Sequence, residues 1–113
     1  MNIHGFHAHV YFDGPAQRDE ALALRAALRE RAPTARLGRV HERPVAFHPS
    51  AMYQVELSRE QFGELVPWLM LHRGSLSVMV HPLTGDTWAE HTQHALWLGE
   101  PLQLDLERLR AAA

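Results

Sequence analysis

The stretch Phe6-His7-Ala8-His9-Val10-Tyr11-Phe12 alternates with a period of two, and a strand sorts such a set onto two separate faces. Phe6, Ala8, Val10 and Phe12 share one face; His7, His9 and Tyr11 share the other. A sheet built on this strand has to bury one side against apolar partners and find a use for a row of imidazoles on the other.

The rest of the chain supplies the partners. Asp13-Gly14-Pro15 offers a turn, a cap and a proline suited to a first helical position, and Ala21, Leu24, Leu28 and Ala32 follow at helical spacing, so a helix is expected over 15–31 with Pro33 beyond it. Extended segments are expected over 37–45 and 52–57, joined through His48-Pro49-Ser50. Ser58-Arg59-Glu60-Gln61 fits a capping box, opening a helix with Phe62, Leu65, Val66 and Leu69 on one side, Pro67 inside it as a source of a kink or an early stop, and Gly74 at its end. Leu76 to His81 reads as the fourth strand. Thr87-Trp88-Ala89-Glu90 fits a second capping box opening a short helix towards Leu98, and the final Leu-Gln-Leu-Asp-Leu run is either a strand or a docked helix. The core order is β-α-β-β-α-β, an α+β ferredoxin-like sandwich with a C-terminal helical or extended appendage.

At 113 residues the chain is expected to form one domain, 1–113, burying roughly two thirds of its unfolded surface. A net charge of -2 with no basic run gives no footprint for nucleic acid or an anionic membrane. No cysteine is present, which excludes disulfides and thiolate metal sites. No apolar run approaches the length of a membrane span and no signal-peptide pattern opens the chain, so a cytoplasmic protein is expected. Nine histidines dispersed through the sequence are its compositional peculiarity.

Strand phase places several of them together. In the second strand Val40 marks the apolar face, leaving Arg39, His41 and Arg43 opposite; in the third, Tyr53, Val55 and Leu57 oppose Met52, Gln54 and Glu56; in the fourth, Leu76, Val78 and Val80 oppose Ser77, Met79 and His81. With strand order 4-1-3-2, strand four antiparallel to strand one and strand three parallel to it, His81 and the residues just after His48 should arrive beside His7 and His9. Imidazole suits iron, zinc, copper or nickel, and a histidine site that leaves positions open is the pattern of a catalytic metal. The expected metal residues are therefore His7, His9, His48 and His81. A completing carboxylate is not assigned: Glu56 lies far along its strand and Glu42 has the wrong phase. His91 and His94 form a further pair at i, i+3, while His4 and His72 read as surface residues. Trp68, Trp88 and Trp97 read as core or interface. No glutamate stands next to a ligand in a HExxH-like pattern, which disfavours a hydrolytic zinc enzyme.

The segments FHAHVYFD (6–13), GRVHERPV (38–45), HPSAMYQVEL (48–57), VPWLMLHRGSLSVMVHPLTGD (66–86) and HTQHALWLG (91–99), in this order and spacing, resemble the DOPA 4,5-dioxygenase family of aromatic-ring-opening enzymes over nearly the whole chain. The resemblance implies a ferredoxin-like fold and non-haem-iron extradiol cleavage of a small catechol, with Fe(II), or zinc or another divalent metal in the purified protein, and with a small aromatic molecule and dioxygen as reactants. Matching histidines are His7, His9, His41, His48, His81 and His91. Family members carry a glycine-proline pair where this chain has Ala46-Phe47, which reshapes the pocket. The expected acid/base is His41, with His91 the alternative. Tyr11 is expected to orient bound oxygen, and Arg39 and Arg43, with Arg73 next, to grip a substrate carboxylate. A metal- or ligand-binding module of the same fold without turnover is the rival reading. Because the sheet face carrying Met52 and Met79 would otherwise be wet, a homodimer is expected.

Overall fold

The structure is a computed structural model and describes residues 2–113. Its elements are β1 (Phe6–Phe12), α1 (Gly14–Arg31), β2 (Arg36–Leu37), β3 (Ala51–Leu57), α2 (Arg59–His72), β4 (Ser77–Pro82), α3 (Thr87–His91), β5 (Leu96–Leu98) and α4 (Leu106–Ala112). The strands form one sheet of order β2-β3-β1-β4-β5, antiparallel throughout. This is the expected α+β sandwich, widened by β5.

Helix α1 opens as the proline signal predicts, with its N-cap amide at Asp13 donating to the Gln17 side chain at 2.9 Å. Helix α2 opens on the Ser58–Gln61 capping box and runs through Pro67 to His72. Both helices bury their apolar sides against one face of the sheet, where Ala8, Val10, Phe12, Tyr53, Val55, Leu57, Val78 and Val80 meet Leu24, Leu28, Leu65 and Leu69. The polar handle of this core, the Tyr53 hydroxyl, donates to the Ala21 carbonyl at 2.8 Å.

Several expectations need correction. Strand β3 runs antiparallel to β1, not parallel, with Phe12 opposite Ala51 and Phe6 opposite Leu57. The crossover through α2 makes β3 and β4 parallel to each other, and β1, inserted between them, runs against both. The second extended segment is a strand only at 36–37. Leu37 pairs with Val55, but the next pairing is the isolated bridge of His41 with Met52, so 38–40 contain one residue more than the segment opposite. That is the signature of a bulge, and it puts both Leu37 and Val40 against the core while His41 keeps the phase of Met52. Gly38 sits where the backbones close up: its amide reaches the Gln54 carbonyl at 2.7 Å, and an added Cβ would lie 3.3 Å from that oxygen.

The third concerns the second face. Met52 and Met79 are buried within this chain, packed with Tyr11, Leu104 and Leu109 and flanked by Trp88, Trp97 and Leu102. The segment after β5 folds back and α4 docks there, so no second subunit is needed to dry that face. Helix α3 is also shorter than expected, ending at His91, and its N-cap is Asp86, whose side chain accepts from the Ala89 amide. Residues 96–98 form β5 instead of continuing a helix.

Candidate functional site

The antiparallel ladder sets His7 directly opposite His81 and His9 opposite Met79, on the face away from α1 and α2. The His9 and His81 rings lie nearly parallel, 5.2 Å apart, with their Nε2 atoms 3.1 Å from each other. His7 stands edge-on to both, its centroid 5.2 Å from His81 and 6.0 Å from His9. The end of α3 brings His91 to 4.0 Å from His81.

His48 arrives by a different route from the one expected. Strand β3 starts at the far end of β1, but the loop before it doubles back over the sheet and places the His48 ring 4.5 Å from His9. The turn depends on Ala46 at φ 52°, a left-handed conformation that L-residues adopt at a cost, with the His48 amide donating to the Val45 carbonyl at 3.0 Å. The Asp105 amide holds the Phe47 carbonyl at 2.9 Å, and the Phe47 ring packs 4.6 Å from His48 and 4.7 Å from His91. At the closed end, Tyr11 Oη lies 2.8 Å from His48 Nδ1.

All five imidazoles are held neutral by burial. Desolvation, reinforced by the neighbouring His48, His81, His7 and His91, pushes His9 well below the ordinary histidine range. Desolvation and then His91 bring His48 and His81 each to about 4. Desolvation also lowers His7 and His91, against the nearby carboxylates of Glu56 and Glu90. Neutral imidazole is the metal-binding form. His81 Nδ1–H donates to the Pro82 carbonyl at 3.1 Å and His91 Nδ1–H to the Thr87 carbonyl at 2.7 Å. These backbone anchors fix the tautomer and put a lone pair on each Nε2, that of His81 accepting from His9 Nε2–H at 3.1 Å; such anchoring is the arrangement that orients metal-bound histidines.

Glu90 is the residue that sequence reasoning missed. Its Oε2 accepts from the amides of Thr84 and Gly85 at 2.7 and 2.9 Å and from the Thr84 hydroxyl at 3.2 Å, while Oε1 lies 3.9 Å from His81 Nδ1. Burial alone would raise its pKa, but these donors outweigh burial and keep the carboxyl below the ordinary carboxylate range. The Thr-Trp-Ala-Glu pattern marked the glutamate, but as a cap; in the fold it reaches backwards to the loop before the helix.

The other expected residues divide. His41 is half-buried on the bridge to Met52. Arg39 and Arg43 are exposed, and among the described residues neither makes an ion pair. Arg73 is not near the cluster: it binds the carbonyls of Gly74 and Leu76, at the opposite end of β4 from His81. Glu42 pairs with Arg18 at 2.9 Å, on the surface. Glu56 faces His7 across the ladder and lies 3.8 Å from Arg36. His94 is separated from His91 by the end of the helix and lies on the rim of a cleft of about 420 Å³ lined by Phe6, Phe62, Val80 and Leu96, which meets the cluster at His81.

Two donor sets close enough to share one ion result: His7, His9 and His81, and His81, Glu90 and His91. Two nitrogens bound at right angles to one metal at about 2.1 Å stand roughly 3 Å apart, and the His9 and His81 Nε2 atoms are 3.1 Å apart. His9 Nδ1 has no partner among the described residues although it is buried. The cluster thus fits a divalent cation better than it fits an interior sealed by hydrogen bonds alone.

Fold and site together define a small α+β sandwich with a buried, neutral, metal-competent histidine cluster. The model of the Dopa 4,5-dioxygenase family matches residues 6–108, and the chain belongs to that family. It is 40% identical to an uncharacterized 21.2 kDa protein of Botryotinia fuckeliana, over 93% of this chain and 63% of the relative, and 35% identical to the DOPA 4,5-dioxygenase of Amanita muscaria, over 95% of this chain and 50% of the relative. It therefore spans half to under two thirds of those curated relatives. A crystal structure from Nostoc punctiforme, described as a "putative dioxygenase", superposes with a TM-score of 0.93 at 48% identity, covering 98% of this chain and 95% of that one. Among the described residues, no helix is long and apolar enough to cross a membrane.

Proposed function

We propose that this chain, acting as one domain, is a non-haem-iron dioxygenase that opens the ring of a small catechol by extradiol cleavage. The observation that carries the reading is the convergence of neutral, backbone-anchored imidazoles on one buried point. The metal seat is drawn from His7, His9 and His81, with His48 packed against His9 beside it. Bound Fe(II) would supply adjacent open positions for the two catechol oxygens and dioxygen, and a path for electron density between them.

The protein's own part is orientation and proton handling. His91, with Nδ1 anchored on Thr87, has its bare Nε2 free to accept a catechol hydroxyl proton. His41, on the bridge to Met52, is the second candidate. His7 is the least buried of the five rings, so substrate approaches from its side; the exposed Arg39 and Arg43 flank His41, level with Tyr11 through the bridge to Met52, and are proposed to meet a carboxylate on a ring substituent that extends that way. Reactants are the aromatic molecule and dioxygen, in the cytoplasm; neither nucleic acid nor membrane is a partner. A homodimer has to use a surface other than the Met52/Met79 face, and exposed Met70 and Leu71 on α2, with Leu96 and Leu106 elsewhere, are apolar residues available for it.

The test is to load the protein with Fe(II) anaerobically, add a panel of catechols, then admit air. Yellow ring-opened semialdehyde is the expected product. Tight iron binding with unchanged catechol would instead favour a binding module without turnover.

A further inference from the structure

The hydrogen bonds around the cluster do not treat the imidazoles alike. His81 and His91 each give an Nδ1–H to a backbone carbonyl, so their Nε2 atoms carry lone pairs. His48 Nδ1 faces a phenol instead. Tyr11 is 1% exposed, and its hydroxyl has His48 Nδ1, at 2.8 Å, as its hydrogen-bond partner among the described residues. A hydroxyl proton buried there needs an acceptor. If His48 carried its proton on Nδ1, that proton would point at the phenol oxygen and the phenol proton would point at nothing. The pair is satisfied only when Tyr11 donates and His48 Nδ1 accepts, which puts the proton of the neutral ring on Nε2. Phe47 and His9, at 4.6 and 4.5 Å, pack against the ring and oppose its turning over.

We propose that His48 is not a metal ligand: it presents Nε2–H as a hydrogen-bond donor to an anionic oxygen bound beside the metal seat, and Tyr11 is the positioning residue that holds it in that tautomer. The oxygen is of the catecholate or phenolate class, which rests on the function proposed above; the tautomer does not. Charge-assisted N–H···O⁻ contacts of this kind are stronger than neutral ones, and a donor fixed in advance needs no reorganisation when the ligand arrives.

Three measurements decide it. Ring-nitrogen shifts in histidine-labelled, metal-free protein, with His48 assigned by its loss in His48→Gln, should show the Nε2–H tautomer, and Tyr11→Phe should move His48 towards Nδ1–H; an Nδ1–H form in the unsubstituted protein overturns the proposal. In Co(II) titration His48→Gln should stay within about threefold of the unsubstituted protein, whereas His81→Gln should lose about a hundredfold or more; equal losses overturn it. Anaerobic catechol binding to the Co(II) protein should weaken about tenfold in His48→Phe and recover in His48→Gln, which keeps an N–H; no recovery, with both variants folded by circular dichroism, overturns the donor role. Failure of the unsubstituted protein to take up Co(II) would overturn the function proposed above, and the ring-nitrogen shifts would still decide the tautomer.

Discussion

The two faces of the sheet are made by the same three long strands and could hardly differ more. On the helix side every inward residue is apolar and the Tyr53 hydroxyl is satisfied at Ala21. The other side is apolar only at one end, around Tyr11, Met52, Met79, Leu104 and Leu109; at the other end five histidines gather and their rings approach to 4.0–5.2 Å. The first face is organised for folding. The second gives up some of that stability to keep lone pairs where a cation can use them.

The comparison breaks if the faces are not separable. Leu69→Ala, on the helix side, should lower unfolding free energy by about 2–5 kcal/mol, while Co(II) affinity per folded molecule stays unchanged; a coupled loss of affinity would show that the faces are not independent. Acid should act on the second face alone. His48 and His81 sit at about 4 in the folded chain and near 6.5 unfolded, so the unfolded state binds more protons between those values. Stability of chelator-treated protein should be at its plateau above about pH 6.5 and fall as pH drops towards 4, by on the order of 3 kcal/mol for each group before coupling. A urea midpoint flat over that interval would remove the electrostatic account.

Metal should reverse part of this. At a free concentration a hundred times its dissociation constant, a divalent ion adds about 2.7 kcal/mol, read as a rise in melting temperature that His81→Ala abolishes. Arg39→Met and Arg43→Met test the solvent-side rim: at least one should raise KM for acidic catechols about tenfold and leave neutral ones unchanged. The smallest effect is expected at the turn. Ala46→Gly relieves a left-handed alanine and should stabilise by up to about 1 kcal/mol, with metal affinity preserved; destabilisation would mean that the methyl group packs.

Strands with an uninterrupted period of two were readable, so β1, β3 and β4 and the faces of their residues followed from sequence. Segment 37–45 was not, because a one-residue bulge has no periodic signature; it nevertheless leaves Val40 and His41 on their expected sides. His48 reached the cluster despite a wrong strand direction, since a loop can return a residue that the strand carries away. Glu90 was hidden because a backward reach to Thr84 and Gly85 is written in tertiary structure, not in spacing, and the docking of α4 over Met52 and Met79 was hidden for the same reason.

The direct pairing of His7 with His81 has one more consequence. In a ladder of period two, a slip of β4 by one residue would turn His81 into the dry side and Val80 out of it. A one-residue mispairing could therefore not keep its core while losing its imidazoles, or the reverse. Burial of Val78 and Val80 thus acts as a proofreading step for the face on which His81 lies.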